Sequence, residues 1–295
     1  MSLRDKIEKG KFIITAELGP PQSANPDVIR KKANHFRKGV DAVNITDNQT
    51  AIVRMSSIAS AKICLDQGLE PVVQMTCRDR NRLAIQSDLL GAAALGIENI
   101  LCLTGDHMCF GNHPEARGVF DMDSIQLIAT VRNLTEGFFL SGEPMKTPPR
   151  LFIGAAANPC GEPLEMRIIR LEKKIKSGAQ FIQTQPVFDL EGFDHWLRAV
   201  RKRGLDKKTA ILAGVMPVKS VKALEYMKME VPGMKIADQM FQRMKKAKDP
   251  KEEGVQMAAD IIRELRYREG IAGIHLMPLL WESITLHVLE KADLL

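Results

Sequence analysis

Aromatic side chains are few: phenylalanine, tyrosine and tryptophan make up 5% of the 295 residues, with only two tryptophans and two tyrosines. A platform that stacks successive bases needs more rings, interleaved with basic residues, and no zinc-finger spacing is present, so nucleic acid is excluded as the expected partner. Cysteine is equally thin. Cys64, Cys77, Cys102, Cys109 and Cys160 are odd in number and widely spaced, with no Cys-x-x-Cys pair. That pattern excludes a disulfide framework and any cluster or zinc site built on paired cysteines. The histidines, His35, His107, His113, His195, His275 and His287, show no ligand spacing, so no metal is assigned. No apolar run has membrane-spanning length, and Met1-Ser2-Leu3-Arg4-Asp5-Lys6 lacks the apolar core of a signal peptide. The expectation is a soluble cytoplasmic protein without a membrane span.

What is present is ordinary globular composition, 45% hydrophobic and 26% charged, with a net charge of +6 spread along the chain. Such a charge suits small anionic ligands. Short runs rich in Val, Ile and Ala alternate with segments of helical period, predicting strands near 12–18, 42–46, 71–76, 99–103, 151–157, 179–185, 210–216 and 272–277. Eight strands with intervening helices make a closed (β/α)8 barrel of the α/β class, one domain over 1–295. Leu164, Ile168, Leu171 and Ile175 form one outward helix stripe, and Leu127, Val131 and Leu134 another near 122–136. The stretch 232–268 is too long for one crossover helix and is expected to hold two, divided at Lys248-Asp249-Pro250. Long loops are expected at 104–121 and 138–150.

Barrel enzymes build their sites at the C-terminal ends of the strands. Alternation along the first strand puts Ile13, Thr15 and Glu17 on the inner side. Glu17 then closes an apolar strand just before Gly19-Pro20-Pro21, and a buried carboxyl without a charge partner tends to keep its proton, as a general acid must. An edge glutamate paired with a lysine is the competing reading. The same parity turns Asn44, Thr46, Gln74, Thr76, Gly154, Asn158, Gln183 and Gln185 inward, a row of amides and hydroxyls suited to a flat heteroaromatic ligand such as a flavin or a pterin. Thr104-Gly105-Asp106 ends the fourth strand, with Gly105 allowing close backbone approach and Asp106 offering two acceptor oxygens; a turn or helix-cap aspartate competes. Arg167, Arg170, Lys173 and Lys174 line one helix face, either a solvated basic face or a seat for nucleotide phosphates.

Taken in order, Thr15-Ala16-Glu17-Leu18-Gly19-Pro20-Pro21, Asn44-Ile45-Thr46, Gln74-Met75-Thr76-Cys77, Leu103-Thr104-Gly105-Asp106, Arg170-Leu171-Glu172-Lys173-Lys174 and Gln183-Thr184-Gln185 resemble the catalytic barrel of methylenetetrahydrofolate reductase. The resemblance runs over nearly the whole chain. It implies a flavoprotein of one-carbon metabolism that reduces 5,10-methylenetetrahydrofolate to 5-methyltetrahydrofolate or runs the reverse reaction. Glu17 matches the family's general acid, Asp106 a carboxylate that binds the pterin beside the flavin, and Gln185 a folate contact. Thr46, Gln74, Gly105, Asp106, Phe120, Asp121, Asn158, Arg170, Lys173 and Lys174 fall at flavin-contact positions, with FAD placed ahead of FMN. Gln74, Thr104, Asn158 and Arg170 depart from the histidine, arginine, histidine and asparagine of that pattern, and Trp281 stands in place of an arginine. These departures resemble short reductases of anaerobic one-carbon metabolism. They imply either NAD(P)H or an iron–sulfur partner subunit as electron donor, and an oligomer or heteromeric complex. The competing class is a pterin-binding barrel that transfers or presents methyl groups without redox chemistry.

Overall fold

Strands buried on both faces need apolar side chains on both, which is why the Val, Ile and Ala runs read as nearly continuous. In the computed structural model, which describes residues 1–231 and 233–295, they form β1 (Ile13–Leu18), β2 (Ala42–Ile45), β3 (Pro71–Thr76), β4 (Asn99–Leu103), β5 (Phe152–Ala157), β6 (Phe181–Pro186), β7 (Ala210–Val215) and β8 (Gly273–Leu276). All pairings are parallel and in chain order, and β8 returns to β1 with Ile13 opposite Gly273, closing the barrel. The eight predicted strands match these to within two residues at each end.

The helices are α1 (Leu3–Glu8), α2 (Pro26–Ala33), α3 (Ser57–Asp66), α4 (Arg82–Ala94), α5 (Ser124–Thr135), α6 (Leu164–Ser177), α7 (Leu190–Lys202), α8 (Val221–Glu230), α9 (Asp238–Lys246), α10 (Pro250–Arg266) and α11 (Thr285–Lys291). The extra pair before β8 divides where the sequence predicts. Asp249 accepts from the Lys251 and Glu252 amides and Pro250 takes the first helical position, so a new helix must begin there. Pro232, at the start of that stretch, lies outside the described residues.

Alternation decides what each strand face meets. Ile14, Ala16 and Leu18 pack outward into the large core shared with the helices. Facing the axis, Ile13, Ala42, Val72, Leu101, Phe152, Phe181 and Leu212 fill the lower barrel, with Leu3 of α1 plugging its N-terminal end. The Phe152 and Phe181 rings stack at 5.2 Å, and Gly154 leaves the room Phe181 needs, since a Cβ there would lie 2.2 Å from the ring.

Above this layer the axis turns polar. Asn44 Nδ2 donates to Gln183 Oε1 (2.6 Å), Gln183 Nε2 donates back to Asn44 Oδ1 (3.0 Å) and also to Thr15 Oγ1 (3.1 Å), and Thr15 Oγ1 lies 2.9 Å from His275 Nδ1. Buried polar groups persist when they satisfy one another, and this set does. It is the floor on which the mouth stands.

Candidate active site

Glu17, at the end of β1, has its carboxylate just above that floor, with 11% of its side chain exposed. Oε2 accepts from Gln74 Nε2 (3.3 Å) and has His275 Nε2 at 3.9 Å; Oε1 accepts from Gln49 Nε2 (3.3 Å). The inward placement is as the alternation predicts. Among the described residues no lysine or arginine pairs with it; two amides and an imidazole surround it, contributed by β3, β8 and the loop after β2. One oxygen is held from below and the other is covered from above.

That cover is a strap, Asn48 to Ala51, in which Asn48, Thr50 and Ala51 all have left-handed φ (44°, 56° and 56°) without being glycine. Phe120 (40°) and Leu280 (51°), in the loops after β4 and β8, share this conformation at the same end of the barrel. Such residues persist only where their surroundings hold them, and they collect at functional sites. Several bonds hold the strap. Asn48 Oδ1 accepts from the Arg54 amide (2.9 Å), the Thr50 amide donates to Asp106 Oδ2 (3.0 Å), and the Val53 amide donates to Asn112 Oδ1 (3.1 Å). Glu17 and Asp106 are therefore bound to consecutive residues, Gln49 and Thr50. The carboxylates of the first and fourth strands meet at one mouth, Asp106 the more exposed of the two.

Arg78, 2% exposed, ties the same loops from beneath. It donates to the Asp106 carbonyl (3.3 Å) and the Asn48 carbonyl (3.3 Å) while its Nε and Nη2 grip Asp79 (2.8 and 2.7 Å). Gly105 sits above it with φ +96°, and a Cβ there would lie 3.0 Å from that of Arg78 and 3.1 Å from that of Thr76. Glycine is thus required by conformation and by space, which sets Asp106 where it is.

The rest of the polar row divides. Asn44 and Gln183 satisfy each other and are floor, not ligand contacts, and Thr76 commits its hydroxyl to Asp47 (2.9 Å). Gln185 is exposed at the mouth, beyond an irregularity in the β6–β7 register between Gln183 and Pro186. Asn158 caps the Cys160 amide (3.1 Å). Asp121 gives both carboxylate oxygens to Arg82 (2.8 and 2.9 Å), an arrangement that holds its pKa down to about 2. It faces α4 rather than an open cleft. Cys77 and Cys102 are buried thiols, Cys77 pushed up to about 12 by burial, and neither is poised as a nucleophile.

Beside the mouth, Thr104, Phe120, Met122, Asp123, Ile125, Gln126 and Lys173 line a cleft of about 500 Å³. Arg170 is exposed on the same helix, and Lys174 reaches inward to donate to the Ala156 carbonyl (2.6 Å). The Thr46 hydroxyl is buried without a hydrogen-bond partner. An unpaired buried donor, an open cleft and the exposed cations Arg170 and Lys173 fit a nucleotide-bearing cofactor with ring atoms to accept and phosphates to seat.

Burial, and then the nearby charge of Arg170, lower the Lys174 pKa from 10.5 to about 8. A lysine whose folded pKa is depressed opposes folding while charged, so the penalty is whole below about pH 8 and fades between 8 and 10.5. The native chain is expected to gain stability relative to Lys174→Met as pH rises across that window, measured by urea melts at pH 7 and 10. A constant difference would mean Lys174 is not desolvated.

Sequence reasoning missed Gln49, Thr50, Arg78 and the position of His275. Parity on β8 was available as a signal for His275, since Gly273 and His275 alternate inward. Nothing local marks Gln49 or Thr50, which matter only because of where their loop lies.

The methylenetetrahydrofolate reductase family profile matches residues 2–293. Methylenetetrahydrofolate reductase 2 of Schizosaccharomyces pombe is 25% identical over 321 residues, covering 100% of this chain and 47% of its own length. Methylenetetrahydrofolate reductase 1 of that organism is 25% identical over 238 residues, covering 78% of this chain and 37% of its own. The chain thus spans less than half the length of these relatives. Among solved structures, an uncharacterized protein from Clostridium thermocellum that binds two copies of 5-methyl-5,6,7,8-tetrahydrofolic acid superimposes with TM-score 0.68 at 18% identity, covering 99% of both chains, a likeness of fold. With the profile extending over almost every residue of the barrel, the chain belongs to the methylenetetrahydrofolate reductase family.

Proposed function

We propose that this barrel reduces 5,10-methylenetetrahydrofolate to 5-methyltetrahydrofolate, or runs that reaction in reverse, with a bound flavin. The observation that carries the reading is the convergence of Glu17 and Asp106 on consecutive residues of one strap. One acid lies low and sheltered, the other high and exposed, as proton delivery and pterin recognition require. Family membership and the tetrahydrofolate ligand of the Clostridium thermocellum neighbour support the folate class.

Flavin, FAD or FMN, would supply the two-electron hydride chemistry when bound. Arg170 and Lys173 would seat its phosphates, with Lys174 held on the Ala156 carbonyl beneath them, Thr46, Gln74 and the Gly105 backbone near its ring and Phe120 on the cleft wall. Asn158 and Asp121 are weaker contacts in this reading because each already has a local partner. Asp106 would accept two N–H bonds from the amino-pyrimidinone edge of the pterin, in place of the bond it now takes from Thr50. Gln185 would reach the folate from the β6 end. Glu17 would carry its proton on Oε1, the oxygen covered by Gln49, and pass it to the nitrogen that leaves as the five-membered ring opens. The electron donor would be NAD(P)H or an iron–sulfur partner subunit.

The test is a spectrum. The purified chain is expected to take up FAD or FMN, and the flavin absorbance to bleach anaerobically on addition of methyltetrahydrofolate. Failure to bind either flavin would sink the reading. Tight methyltetrahydrofolate binding without flavin would favour the methyl-presenting alternative instead.

A further inference from the structure

His275 has no role in the reaction described above, yet it is buried beside Glu17 and fixed to the floor by Thr15. It is 3% exposed, on β8, with one ring nitrogen in the floor network and the other facing the acid. Which nitrogen carries its proton depends on whether Thr15 donates to it or accepts from it. Gln183 Nε2 donates to Thr15 Oγ1 (3.1 Å), so that oxygen is already an acceptor. The Thr15 proton must then go to one of two acceptors, His275 Nδ1 at 2.9 Å or the Ile274 carbonyl at 3.4 Å. The nearer is Nδ1. An Nδ1 that accepts leaves the proton of the neutral ring on Nε2. Nε2 faces Glu17 Oε2 at 3.9 Å, beyond hydrogen-bond length in this conformation.

We propose that His275 is a positioning residue for Glu17: a neutral imidazole, locked by Thr15 and Gln183 as the Nε2–H tautomer, whose N–H meets the carboxylate when Glu17 becomes charged. The inference rests on the reading of Glu17 as proton donor and extends it. When the proton leaves Oε1 for the substrate nitrogen, negative charge spreads over both carboxylate oxygens. Gln74 already donates to Oε2, and His275 supplies a second donor there while keeping its own proton. Hydrogen bonds to a charged acceptor are the strong ones, and a donor fixed in advance need not reorganise as charge appears. The neutral ring also avoids placing a second transferable proton beside the acid.

Two measurements test this. Nitrogen-15 spectra of the ring in the unmutated chain, without flavin or folate, are expected to show His275 neutral and protonated at Nε2, with the tautomers mixing in Thr15→Val. A ring protonated at Nδ1 in the unmutated chain overturns the proposal, even if every variant misfolds. In turnover with flavin, His275→Leu is expected to lower kcat on the order of tenfold with KM unchanged, and His275→Gln, whose amide nitrogen can stand near Nε2, to recover most of it. A variant in which KM rises while kcat holds, or in which glutamine is as poor as leucine, overturns the positioning role. If His275→Leu turns over normally while Glu17→Gln does not, only this inference fails. If Glu17→Gln itself turns over normally, the proton-donor reading falls and takes this one with it.

Discussion

Glu17→Gln is expected to leave the barrel folded and its flavin uptake intact while slowing folate reduction by about a hundredfold or more, the scale of a lost general acid. The substitution keeps the size and planarity of the side chain, so the floor of Thr15, Asn44, Gln183 and His275 is undisturbed. On the proposed reading, what it removes is the transferable proton on Oε1, the oxygen that Gln49 covers. The measurement is single-turnover reoxidation of reduced, flavin-loaded protein by methylenetetrahydrofolate, beside a thermal melt and a flavin titration. Parallel loss of flavin affinity would place Glu17 in the cofactor seat, and a near-native rate would remove its role in proton transfer.

The second large effect is on stability. Asp47, 4% exposed, accepts from the Thr76 amide (3.0 Å), the Thr76 hydroxyl (2.9 Å) and Arg80 Nη1 and Nη2 (2.7 and 3.3 Å). It follows Thr46 and precedes the strap, so one carboxylate joins the end of β2, the end of β3 and the loop into α4. Asp47→Ala leaves a largely buried guanidinium and three further donors, the Thr76 amide and hydroxyl and the Ser57 hydroxyl, without that acceptor, and breaking such a pair from one side costs roughly 3–5 kcal/mol. Arg80 keeps Asp88 (2.8 Å), which places the expected loss at the lower end of that range. Urea unfolding measures it, and Asp47→Asn, which retains one acceptor oxygen, should fall between. A midpoint unchanged in Asp47→Ala would mean that the mouth loops are held by other contacts.

Both effects follow from how barrel strands end. Below the floor, apolar side chains fill the axis and need only volume; above it, β1, β2, β3, β6 and β8 supply polar groups, and only some of these remain open to a ligand. Alternation in the sequence located Glu17, Gln74 and Gln183 on the axis correctly, because period two is a local property of extended chain. It could not separate Gln74, which reaches the acid, from Gln183, which is closed in by Asn44 and Thr15. The difference depends on which strand lies across the barrel, about which neither neighbourhood carries information. Asp121 illustrates the same limit: its place after the long loop matches a cofactor contact, but Arg82, 39 residues earlier in the chain, takes both its oxygens.

From the sequence alone came the eight strands, their inward faces, the split at Asp249-Pro250 and the two acids of the mouth, since each rests on periodicity, capping or turn chemistry within a few residues. The meeting of those acids on Gln49 and Thr50, the imidazole beneath Glu17 and the guanidinium beneath Asp106 were settled by tertiary structure. Closing the barrel sets β8 beside β1 and lays the loop after β2 against the loop after β4, and contacts across such separations have no signature in the residues that make them.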